Sequence, residues 1–282
     1  GAAAGGLPAP RARRVARQVG VACAGGNKHG VVVFSERSAL DEAAAVVAER
    51  HGGAVGLVFA AHALEDGVRD RVVAEEAELL ARTDYGLAYI GGVARRALTG
   101  GDGGAGDALA GDDACPLAAA SAYPRAGAEE GLMVEWLRVL RERAGPGHGE
   151  DCGRFVSASG TWELGLAYGI VPENMAVAHT VEALQACRLR YKHQVTQALR
   201  SCALAGCEAL VIGCAEGVLG CEVAAHPAAM EAADVWAEVL QGEAGRPGFA
   251  SHFRSVAFCL GGRANPRAAD ATMRALRKAF AR

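Results

Sequence analysis

Residues 181–260 constrain the fold of this chain more than any other stretch, because helix, strand, glycine turn, helix and strand follow one another there in an order that few architectures accept. Leu184, Tyr191, Val195, Ala198 and Cys202 recur at steps of three, four and seven residues, which lines them up on one face of a helix that ends at Gly206. The run Ala209-Leu210-Val211-Ile212 reads as a buried strand. It leads into Gly213-Cys214-Ala215-Glu216-Gly217-Val218-Leu219-Gly220, whose glycines accept positive φ and leave backbone N–H groups uncovered for a phosphate. Pro227 suits the first turn of the next helix, where a missing N–H costs nothing, and Met230, Ala233, Trp236 and Leu240 give that helix its apolar stripe. Residues 255–260 supply the following strand. A strand–helix–strand crossover of this kind is right-handed and returns parallel, so Val211 and Ala257 are expected on adjacent strands. Ligands of open parallel sheets bind beyond the carboxyl ends of the strands, which puts the 213–220 turn and Phe258 at the mouth of a site.

The remainder of the chain extends the same pattern. Residues 31–34 and 54–60 are short, continuously apolar runs, as in a sheet covered on both faces. Between them Ser38 is an N-cap for a helix over 40–50, with Asp41 and Glu42 in the first turn where the helix dipole favours them. A loop containing His62 and Gly67 leads to a helix over 71–82 that carries Glu75, Glu76 and Glu78. His62 has no partner fixed by the sequence and reads as a solvated loop residue. Leu132, Trp136, Val139 and Leu140 fall on one helical face, which predicts a helix over 132–143, and residues 154–157 read as another strand. Met273, Leu276 and Phe280 place a last helix, 268–281, against the sheet. The expected fold is therefore α/β, with a mixed, mostly parallel sheet containing 31–34, 57–60, 155–157, 210–212 and 256–260.

Several function classes are excluded by what is missing. A chain of 282 residues with net charge −3 and dispersed basic residues lacks the footprint of a broad nucleic-acid surface. No run approaches the ~18 apolar residues of a membrane span. The glycines match neither GxGxxG nor GxxxxGK[ST], and no GxSxG elbow occurs, which lowers nicotinamide dehydrogenases, P-loop enzymes and α/β-hydrolases together. Nine cysteines, an odd number in a chain too large to need stapling, point to an intracellular, reducing compartment, cytoplasmic or organellar. Without CxxC or HExxH no metal site is expected, and no cofactor is implied. The first twenty residues hold Arg11, Arg13, Arg14 and Arg17 and no acid, as a transit-peptide remnant or a plain basic tail would. Residues 100–113 contain four aspartates and no base among Gly, Ala and Leu, and read as a surface insertion. The resulting division is an N-terminal extension, 1–29, and one domain, 30–282, with a Gly/Asp-rich insertion at about 99–114.

Taken in order, Leu40-Asp41-Glu42-Ala43-Ala44, Leu57-Val58-Phe59-Ala60, Ser157-Ala158-Ser159, the Gly213–Gly220 turn and Phe258 make a string that resembles the microbial-type poly(ADP-ribose) glycohydrolases, a branch of the macro-domain fold. The resemblance spans roughly residues 31–260 and implies a three-layer α/β/α macro-domain-like sandwich. It also implies ADP-ribose or a related nucleotide as ligand, with Gly67, Gly213, Gly217, Val218, Leu219, Gly220 and Phe258 as binding residues and Glu75 and Glu76 as catalytic candidates. The departures fall where the chemistry belongs. The family's loop of three consecutive glycines is replaced by Glu65-Asp66-Gly67-Val68, and its Gln-Glu-Glu helix by Glu75-Glu76-Ala77-Glu78-Leu79-Leu80. Aligned through Leu79-Leu80, the second family glutamate falls on Ala77, and a shift of one residue restores Glu76. Cleaving a ribose–ribose bond needs a carboxyl that protonates the leaving oxygen, which alanine cannot supply. The preferred expectation is a catalytically degenerate domain, acting as a structural subunit or interaction module with protein partners in a larger assembly, or as a nucleotide reader. The alternative is an active ADP-ribosyl glycohydrolase.

Overall fold

The computed structural model describes residues 11–15, 31–50, 54–61, 74–85, 131–142, 155–157, 160–171, 178–213, 227–243, 246–260 and 266–281, with Gly153 and Met175 as single positions. Among the described residues the strands are β1 (Arg11–Val15), β2 (Val31–Ser35), β3 (Val55–Ala60), β4 (Gly131–Val139), β5 (Trp162–Ile170), β6 (Ala209–Gly213), β7 (Gly242–Glu243), β8 (Arg246–Pro247) and β9 (Ser255–Cys259). The α-helices among the described residues are α1 (Ala39–Arg50), α2 (Ala74–Arg82), α3 (Val181–Leu204), α4 (Pro227–Gln241) and α5 (Pro266–Phe280). Seven of the strands form one sheet in the order β1-β4-β5-β3-β6-β9-β2, while β7 and β8 make a small hairpin. The contacts from β5 through β3, β6 and β9 to β2 are all parallel, and β1 and β4 add an antiparallel flank.

The continuous apolar character of the central strands follows from alternation between two cores. Val58, Ala60, Leu210, Ile212, Val256 and Phe258 point to the face covered by α3, α4 and α5, where they meet Tyr191, Leu199, Trp236 and Leu276. Val55, Leu57, Phe59, Val211 and Ala257 point to the opposite face, under Leu40 of α1 and Leu79 of α2. Both sets are excluded from water, so every residue of these strands has a reason to be apolar. This is the three-layer sandwich expected, and Val211 and Ala257 are direct register partners on neighbouring parallel strands.

Local signals set the helix ends. The Ser38 hydroxyl accepts the Asp41 N–H at 3.3 Å at the start of α1, and the Thr180 hydroxyl accepts the Ala183 N–H at 3.1 Å at the start of α3. At the other end of α3, Gly206 lies at φ +74°, its N–H bonded to the Ala203 carbonyl at 3.1 Å while the Cys207 N–H reaches the Cys202 carbonyl at 3.0 Å. That pair of bonds is a Schellman cap, for which the αL position selects glycine. Arg188 of α3 pairs with Glu231 and Glu238 of α4, and Lys192 joins Glu238 at 3.1 Å. None of the described helices is long and apolar enough to cross a membrane.

Three expectations need correction. Residues 131–139 form β4, not a helix, paired with β5 on one side and β1 on the other. Val134, Leu137 and Val139 share one core, a three-residue step followed by a two-residue step. The break in alternation coincides with Trp136, which sits at φ +56° and is 57% exposed, while the register continues on both sides as Glu135↔Leu166 and Leu137↔Leu164. A three-residue step inside a strand imitates helical spacing. The second correction is that Phe155 makes only an isolated bridge to Arg141, whose guanidinium lies 3.9 Å over its ring. The strand that occupies the sheet is β5, and Gly165 and Gly169 inside it lower its apparent strand propensity. Both are places of close approach: a Cβ on Gly169 would lie 2.7 Å from the Ala61 Cβ. Finally, part of the basic N-terminal stretch, Arg11–Val15, is the outermost strand of the sheet, with Arg13 opposite Met133. The Gly/Asp-rich insertion at 99–114 lies outside the described residues.

Replacing Gly169 by alanine is expected to lower stability by about 1–3 kcal/mol, the usual cost of forcing a methyl into a filled core, because Ala61 and Phe59 cannot both retreat. Urea denaturation of the Gly169→Ala variant checks this.

Candidate functional site

The five parallel strands end together at Ser35, Ala60, Ile170, Gly213 and Cys259, so the segments that follow them leave from one edge of the sheet. Two of those segments carry the sequence-predicted site. Residues 62–73 follow β3 and residues 214–226 follow β6, and these strands are direct neighbours through the Leu57↔Val211 and Val58↔Ile212 pairs. Gly213 closes β6 opposite Cys259. His62, Gly67, Gly217, Val218, Leu219 and Gly220 lie outside the described residues.

Helix α2 packs on the α1 side of β3. Its phase turns Glu76 and Leu79 toward the sheet, and both are buried. A buried carboxyl is costly unless hydrogen bonds replace its lost water. The Tyr85 hydroxyl, itself inaccessible to solvent, donates to Glu76 Oε1 at 2.8 Å. Tyr85 is held in turn by an edge-to-face contact with Phe59, ring centres 5.6 Å apart at 86°, and Phe59 is the penultimate residue of β3. The chain thus encloses one carboxyl near the end of β3, and gives it a phenol as partner. The side chains of Glu75 and Ala77 lie outside the described residues.

Glu78 has a different role. It accepts from the Ser38 hydroxyl at 3.0 Å and pairs with Arg82, whose guanidinium also meets Asp41 Oδ1 at 2.9 Å. Arg82 is almost fully buried, and these contacts lock α2 onto the start of α1. One turn further on, Asp84 accepts both the backbone N–H of Arg138 at 2.8 Å and its side-chain Nε at 2.7 Å, which fixes the exit of α2 against β4. Neither Tyr85 nor the Asp84–Arg138 pair is identified in the sequence reading. A Thr-Asp-Tyr triplet directly after a helix bearing an inward glutamate is the only sequence signal for them, and it is a weak one.

Phe258 is not available as a platform for a base. It lies in the core beneath α4 and α5, with ring centres 5.9 Å from Phe34, 5.7 Å from Trp236 and 5.5 Å from Phe280, and has no exposed surface. The strand places it at the correct edge, but its side chain follows the alternation and turns down into the helix layer. Among the described residues no group of three or more His, Cys, Asp or Glu side chains gathers to hold a metal ion.

A mixed, mostly parallel sheet between two helical layers is the architecture of macro-domain-like α/β proteins. Within that class the fold is that of the microbial poly(ADP-ribose) glycohydrolases. The structure of the Deinococcus radiodurans enzyme in complex with ADP-ribose is similar with a TM-score of 0.58 at 17% identity, covering 90% of this chain and 86% of that one. The Thermomonospora curvata enzyme matches with a TM-score of 0.58 at 15% identity over 90% of this chain and 79% of that one. Its complex with the inhibitor ADP-HPD matches at 0.55 and 15% over 87% and 78%. No protein-family profile and no curated protein sequence matches the chain.

Removing the Tyr85 hydroxyl leaves one buried oxygen of Glu76 without that donor. Tyr85→Phe is therefore expected to cost about 1–3 kcal/mol in urea denaturation, and less in a Glu76→Leu background where no carboxyl remains to be satisfied. Equal costs in the two backgrounds would show that the bond contributes nothing to stability.

Proposed function

We propose that this chain is an ADP-ribose-binding domain of the macro type in which hydrolysis is strongly impaired. The observation that carries the reading is the adjacency of β3 and β6, which starts the 62–73 and 214–226 segments side by side on one edge. A ribose-diphosphate needs such an arrangement if one segment is to take the sugar and the other the phosphates. The diphosphate lies along Gly213, Gly217, Val218, Leu219 and Gly220, where backbone N–H groups and the absence of bulk suit an anion. The solved structures of similar fold include ADP-ribose complexes, which supports a nucleotide-sugar ligand.

Impaired hydrolysis rests on the 62–73 segment. Gly67 is its only glycine, and Glu65 and Asp66 bring like charge to a diphosphate, so the substrate is held too loosely for in-line chemistry. A domain that binds ADP-ribose without consuming it serves as a reader or interaction module. The second reading, an active glycohydrolase, is favoured by one observation: Glu76 is enclosed and hydrogen-bonded to Tyr85, a setting in which a carboxyl can be kept ready to protonate a leaving oxygen.

Calorimetry with ADP-ribose is expected to give saturable one-to-one binding that Gly217→Asp abolishes by adding a clashing, repelling side chain. Absence of binding in the parent protein ends the reader assignment. On labelled polymer, product release is expected to fall about 10²-fold or more below that of an active glycohydrolase. Robust release that disappears in Glu76→Gln establishes the second reading instead.

A further inference from the structure

The end of α3 and the start of β6 bring together two thiols that the site does not use. Cys202 and Cys207 occupy the two positions of the Schellman cap whose side chains normally make its apolar contact. Here both side chains turn under the sheet toward Gly56 of β3. A Cβ built on Gly56 would meet the Cys202 Sγ at 2.8 Å and the Cys207 Sγ at 3.3 Å, so both sulfurs approach one point that only a glycine leaves open. Gly165 of β5 extends the same gap, since a Cβ there would lie 3.6 Å from the Cys207 Sγ. Ordinary apolar packing at this cap requires neither two sulfurs nor two missing side chains around them.

We propose that Cys202 and Cys207 form a disulfide in the folded protein when it meets hydrogen peroxide, making this cap a site of reversible oxidative modification. The backbone permits it, because the residues are joined by the cap hydrogen bond and their side chains converge on Gly56. The hydrogen bond between the thiols holds Cys207 below its ordinary thiol range and, together with burial, pushes Cys202 above it. Cys207 is also the slightly more accessible of the two, at 3% against 0% exposure, which makes it the attacking sulfur. Its thiolate takes the outer oxygen of the peroxide: an S–O bond forms, the O–O bond breaks, and one water leaves after protonation. The Cys202 sulfur then attacks the sulfenic sulfur, the S–S bond forms, the S–O bond breaks and the second water leaves. Two thiols are oxidised and one peroxide is reduced to two waters.

The test uses the full chain. Folded protein is treated with hydrogen peroxide, remaining thiols are alkylated, and digestion with trypsin and a glutamyl endopeptidase releases residues 201–208, which contain Cys202 and Cys207 and no other cysteine. The expected result is that this peptide has lost two hydrogens and carries no alkyl group. The melting temperature is expected to rise by a few degrees, to return on reduction, and to stay unchanged in Cys202→Ala and Cys207→Ala. Two outcomes overturn the proposal: a peptide that remains doubly alkylated at a peroxide dose that oxidises a reference dithiol, or one whose cysteines advance separately to sulfinic acids. Gly56→Ala supplies a further arm, because a methyl group between the sulfurs is expected to slow linkage by at least tenfold. An unchanged rate in a folded Gly56→Ala protein also counts against the convergence on that point.

Discussion

Everything in this molecule depends on the parallel pairing of β3, β6 and β9, three strands enclosed on both faces. Burial on both sides forces each strand to be apolar at every position and forces the helices into two layers. The segments following β3 and β6 share one edge without any special device, as a consequence of hydrogen-bonding neighbours ending at the same height. The candidate site is in this sense a property of the sheet, and its chemistry is supplied by what the connecting segments carry.

The α1 and α2 layer supplies the second element. Glu76, Glu78 and Asp84 lie within three turns of chain, yet each carboxyl is held differently: by a phenol, by a hydroxyl and a guanidinium, and by a backbone amide with its own arginine. Glu78 and Asp84 face opposite charges and stitch α2 to α1 and to β4. Glu76 has an uncharged partner in Tyr85.

The C-terminal half was legible because each of its elements carries its own punctuation. Thr180, Gly206 and Pro227 mark helix ends, and the strands between them are unbroken apolar runs. The β4–β5 flank was not, and the reason is local. Trp136 in a left-handed conformation shifts the phase of β4 and produces a helix-like spacing, while Gly165 and Gly169 empty β5 of the side chains that announce a strand. The two glycines answer to neighbours distant in sequence, Ala54 and Ala61, which no local pattern reveals. Of the candidate site, the succession of strands and connecting segments was readable from order and motif, whereas the register that separates Glu76 from Ala77 on α2 was left open by the sequence. The inward turn of Phe258 was not, because the parity of a fully buried strand has no signature when both faces are apolar.

The strand order has a consequence for how such a chain assembles. At one margin of the sheet β2 pairs only with β9, Val31 lying beside Ser255, and β3 takes its place between β5 and β6. Early segments therefore wait for late ones, and the loops that must be closed before the sheet gains its hydrogen bonds are long. Folding by this route is slow relative to chains with local pairing, and an unpaired Val31-Val32-Val33-Phe34 is a sticky intermediate while it waits. During synthesis, protection of that short apolar run falls to whatever meets the nascent chain first.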